Sequence, residues 1–72
     1  MKQKYVRLKI YDEIIIFPTI IEHSDFKHMN PISAGFCHIG IKEIDCFGES
    51  ISLGLKSNKE DSDIATRQIH GY

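Results

Sequence analysis

Residues 32–56 read ISAGFCHIGIKEIDCFGESISLGLK, three runs of strand-forming residues parted by two breaks. β-Branched and aromatic side chains bounded by glycine mark each run as a strand. The first break centres on Ile41-Lys42, directly after Gly40. The second centres on Gly48-Glu49, and glycine at the first central position suits a type II′ turn. These two centres set a register in which Cys37 faces Cys46, Ile39 faces Ile44, Cys46 faces Ile51 and Ile44 faces Leu53. One face of the meander then carries Cys37, Ile39, Ile44, Cys46, Ile51, Leu53 and Leu55, all apolar. A slip of one residue would scatter that set over both faces, so its coherence argues for the register. The other face carries Phe36, His38, Asp45, Phe47, Ser52, Gly54 and Lys56, with the two phenylalanines opposed as a cross-strand pair.

Upstream, YVRLKIY at 5–11 alternates strictly. Val6, Leu8 and Ile10 share one face, and Tyr5, Arg7, Lys9 and Tyr11 share the other, the pattern of a half-buried strand. IIIFP at 14–18 is apolar on both faces, so it is expected to be covered on both sides, with Pro18 ending it or sitting at an edge. Between them Asp12-Glu13 is weak chemistry for a tight hairpin, because neither residue takes positive φ as readily as Gly or Asn. Either a hairpin or a bend in one long strand fits residues 4–17.

HSDFKH at 23–28 reads as a helix start. Ser24 is the expected N-cap and Asp25 the first-turn acid. Phe26 and Met29, three apart, are expected to pack on the sheet, and Asn30-Pro31 stops the turn. In the tail, Ser57 or Asn58 is the expected cap of a second helix, with Glu60 and Asp61 in its first turn and Gly71 at its end. Its short apolar stripe should cover part of the meander's core face. The expected fold is therefore α+β: an antiparallel sheet of four to five strands, a short helix near 24–29 and a C-terminal helix near 59–69.

With 72 residues the chain is one domain, 1–72. At this size only about 60% of the unfolded surface is buried on folding, so stability is marginal unless a helix packs tightly on the sheet or copies associate. The net charge of -1 gives no global attraction to nucleic acid or an anionic membrane. No apolar run reaches the roughly 20 residues of a membrane helix, and the start, MKQKYVRLKIYDE, lacks the unbroken apolar core of a signal peptide. Cys37 and Cys46 are too few for a disulfide framework and read as free buried thiols of a cytoplasmic protein.

Four groups of residues invite a functional reading. Glu22, His23, Asp25 and His28 have the side chains of a metal site, but the two histidines lie five apart and miss a shared helical face. They read better as helix cap and surface polar residues, with His23, Asp25 and His28 as weak metal candidates. His38, Asp45 and Ser52 fall side by side in the register and have the residue types of a hydrolytic triad. Their order is wrong, because the imidazole must lie between acid and hydroxyl. A His38–Asp45 cross-strand pair is the expected role. Tyr5, Arg7, Lys9 and Tyr11 form an aromatic and basic face that could stack bases and hold phosphates. Phe36, His38, Asp45 and Phe47 form a second candidate binding surface.

The segments NPISAGF and CFGESISLGLKSNKEDSDI resemble small uncharacterised bacterial proteins carried on mobile gene cassettes. The resemblance touches about half the chain. It implies a self-contained bacterial domain and transfers no activity. The expected function is a non-enzymatic binding or protein-interaction domain acting as a homo-oligomer, a homodimer or higher, with no cofactor. A small nucleic-acid-binding domain is the runner-up, and a metal-dependent or hydrolytic enzyme comes third.

Overall fold

In the computed structural model, which describes residues 2–71, seven regular elements follow one another. They are β1 (Lys2–Leu8), β2 (Ile14–Phe17), β3 (Pro31–Ile39), β4 (Ile44–Phe47), β5 (Glu49–Ser50), β6 (Leu55–Lys56) and α1 (Asp61–His70). Short 3-10 segments, Ile10–Asp12 and His23–Met29, occupy two of the connections. The first four strands form an antiparallel sheet in the order β2-β1-β3-β4, and β5 and β6 form a separate two-stranded ribbon. The fold is α+β, as the strand and helix patterns implied.

Strand alternation sends Tyr5, Arg7, Ile14, Ile16, Cys37, Ile44 and Cys46 to one sheet face. There α1 closes a small core in which Tyr5, Ile14, Cys37 and Ile44 pack with Ala65 and Ile64. The opposite face carries Val6, Leu8, Phe17 and Ala34. It is covered by Phe26 of the second 3-10 segment and by Leu53 and Leu55 of the ribbon. The run at 14–17 is thus covered on both sides, with Ile14 and Phe17 buried.

The register read for β3 and β4 is the one formed: Phe36 pairs with Phe47, Cys37 with Cys46, His38 with Asp45 and Ile39 with Ile44. The third run departs from expectation. Ser50 pairs with Leu55 instead, and residues 51–54 make the turn between them. The outward N–H groups of β4 are already taken, that of Ile44 by Thr66 Oγ1 at 2.9 Å and that of Cys46 by Ser62 Oγ at 2.8 Å. No third strand can bond there. Gly48, at φ +76°, turns the chain away from the sheet edge instead. Leu53 and Leu55 therefore join the opposite core, and Ile51 is 89% exposed.

The first pair of strands is a hairpin. β1 stops at Leu8, and Ile10 and Tyr11 are exposed. Tyr11 and Asp12 adopt φ of +61° and +50°, unusual for such residues. What holds them is Asp12 Oδ1, which accepts from Arg7 Nη2 at 2.9 Å, while the Leu8 N–H donates to Glu13 O at 2.7 Å.

HSDFKH is helical, but as a 3-10 segment that starts at His23 with no side-chain cap. Ser24 is exposed and caps nothing, and Met29 stays 39% exposed, so both expectations are corrected. The buried residue is His23. Its Nε2 donates to Gly35 O at 2.7 Å, and its ring meets Phe17 and Phe36 edge-on. Phe26 packs where it was expected to. Neither Ser57 nor Asn58 caps α1 through its side chain, whereas Gly71 ends it in the left-handed region.

Candidate functional site

The four residues read as one aromatic and basic strand face are divided by the fold. Lys9 and Tyr11 are exposed, but Tyr5 is fully buried and Arg7 is 8% exposed, both beneath α1. They meet Asp61 there. The Tyr5 hydroxyl donates to Asp61 Oδ2, Arg7 Nη1 donates to Asp61 Oδ1 at 2.9 Å, and the Asn58 N–H donates to Oδ2 at 2.9 Å. Arg7 also reaches Glu60 at 3.2 Å. Burial alone would push the Asp61 carboxyl up, but these donors outweigh it and hold its pKa below the ordinary value. The fully buried Ser33 hydroxyl meets no partner at ordinary hydrogen-bond geometry, yet it too favours the ionised Asp61. For Arg7 burial disfavours the charge, and Asp61, Asp12 and Glu60 together more than reverse that. Burial and the Asp61 carboxylate raise the Tyr5 pKa, so its phenol stays neutral and donates. The cluster is a clamp between sheet and helix, closed to a nucleic-acid strand.

The second set lies on the opposite face, beyond the core that Phe26, Leu53 and Leu55 cover. Two rows cross the strands there: Lys2, His38, Asp45, and Lys4, Phe36, Phe47. The Phe36 and Phe47 rings stack with centroids 6.2 Å apart, and Lys2 Nζ sits 4.4 Å from the Phe36 centroid. Phe47 is 42% exposed. A groove of about 420 Å3 continues from Phe36, walled by Lys4 and His23 on one side and by Glu49, Ser50 and Ile51 on the other. Lys4 Nζ donates to Ile21 O at 2.9 Å and lies 3.9 Å from the exposed Glu22 carboxylate. The surface thus offers aromatic area between ammonium groups on β1 and carboxylates on the β4 side. That suits holding an apolar group with charged flanks.

The remaining candidates are not assembled. His23 points into the core while Asp25 and His28 are exposed, and no group of three potential metal ligands occurs among the described residues. Ser52 lies in the turn of the ribbon, so the expected row with His38 and Asp45 is not formed. Cys37 and Cys46 are free, with burial pushing their thiols up to about 11 and about 12.

Reading the sequence missed the roles of Lys2, Lys4, Glu49 and Asp61. The signal for the lysines was present: Lys2 and Lys4 continue the period of Val6 and Leu8 to the end of β1. Asp61 had no such signal, because its side-chain partners Tyr5 and Arg7 are more than fifty residues away. No family model, curated protein or solved structure matches the chain.

Proposed function

We propose that this chain is a non-enzymatic interaction domain that works as a homo-oligomer in the bacterial cytoplasm. The observation that carries the reading is the aromatic patch on the open sheet face. Phe47 at 42% exposure and Ile51 at 89% flank Phe36, on a domain too small to leave apolar area uncovered without cost. The free thiols Cys37 and Cys46, opposed across paired strands, suit a reducing compartment. Sedimentation velocity across micromolar concentrations tests the reading: self-association is expected, and a species that stays at 8.3 kDa throughout overturns it. The runner-up, single-stranded nucleic-acid binding, finds Tyr5 and Arg7 covered by α1 and draws its remaining support from Lys2 and Lys4 beside Phe36.

A further inference from the structure

We infer that the partner is a second copy of this chain, docked open face to open face about a two-fold axis running along the strands. The inference rests on the oligomeric reading above and assigns its surface and symmetry.

Edge-to-edge pairing is the usual way a small sheet recruits another copy. Here α1 occupies both edges. Ser62 and Thr66 take the outward N–H groups of β4, and Gln68 brackets β2, accepting from Ile14 N–H at 2.8 Å and donating to Ile14 O at 2.6 Å. A strand added at these positions would first have to displace helix side chains. The open end of the other face needs no such displacement.

Charge placement on that face selects the arrangement. Lys2 and Lys4 stand on β1, Phe36 on the middle strand β3, and Asp45 and Glu49 on or just after β4. Glu22 beside Lys4, and Lys56 opposite Glu49, reduce each side without reversing its sign. A two-fold axis across the strands would lay β1 on β1 and oppose like charges. An axis along the strands lays β1 of one copy over β4 of the other. Lys2, with the largely covered Lys4 ammonium behind it, then meets the partner's acidic side twice over, with the phenylalanines packed between the charges. Such a patch is self-complementary, as an isologous contact requires.

The test uses three full-length variants and sedimentation velocity, with circular dichroism to check folding. Wild type is expected to dimerise. Phe47→Glu should weaken association at least tenfold while keeping the wild-type spectrum. Lys2→Glu and Asp45→Lys should each be monomeric alone, because each opposes like charges twice in its own dimer. Mixed in equal amounts, they should recover a dimer, because each supplies the charge that the other lacks. If wild type dimerises and all three variants do so equally well, this surface is wrong while the oligomeric reading stands. If the two charge variants are monomeric alone and stay so when mixed, the axis is wrong. A monomeric wild type overturns both, and one whose Phe47-dependent binding is to an oligothymidylate of about 16 nucleotides gives the patch to nucleic acid.

Discussion

Asp61 is buried with its charge, a position costly for a lone carboxylate. Tyr5, Arg7 and the Asn58 N–H supply enough donors to keep it ionised. Removing it leaves Arg7 buried with weaker partners, so Asp61→Ala should cost about 3–5 kcal/mol in urea unfolding. The sign with pH follows from its lowered folded pKa. The stabilisation is complete above the ordinary carboxylate value near 3.8 and is lost as pH falls through the folded value. Asp61→Ala should show less loss over that acid range than wild type. From sequence this residue was legible only as a first-turn acid, because helix position is local and its pairing is not. The same limit hid Tyr5 and Arg7. Alternation showed that they share a face, but not that α1 covers it. His23 was misplaced for a related reason. Polar side chains suggested a surface segment, whereas one hydrogen bond to Gly35 and two ring contacts suffice to bury the imidazole. Leaving that carbonyl without its donor, His23→Ala should cost about 1–3 kcal/mol.

Among the elements, the β3–β4 register was readable because six of its eight paired positions are apolar or aromatic and a slip would misplace them all. The third run was not, because its fate depends on α1. Ile51, Leu53 and Leu55 alternate as a strand should, but the edge they would join is occupied by hydroxyls from a helix ten residues further on. Ser62→Ala combined with Thr66→Ala would leave two backbone N–H groups unmet, at about 1–3 kcal/mol each. Amide exchange at Ile44 and Cys46 should accelerate in that variant, and unchanged exchange would show that the hydroxyls do not guard the edge. Gly35 belongs to the same region. A Cβ there would collide with the Phe47 carbonyl, so Gly35→Ala should disturb the crossing of β3 with the turn after β4.

At the scale of the whole molecule, two small cores share one sheet, and neither is large enough to stand alone. Cys37 and Cys46 sit in the core beneath α1 with pKa values raised from 9.0 to about 11 and about 12. A raised thiol pKa favours the folded state up to the unfolded value and withdraws that stability as pH climbs towards the folded one. The melting temperature is therefore expected to fall as pH rises from about 9 to 12, and less steeply in Cys37→Ala. At neutral pH the thiols should resist alkylation until denaturant is added. Because α1 closes this core and both strand edges, its place in the chain matters during synthesis. All strands emerge before it does. At about 5–20 residues per second, the stretch between β4 and the end of the helix takes roughly 1–5 s to make. For that interval a nascent chain carries a sheet with two open borders and a buried-to-be arginine still in water. On a crowded polysome, neighbouring nascent chains meet in this unguarded state, and arrival of the last ten residues of the fold ends their chance to knit together.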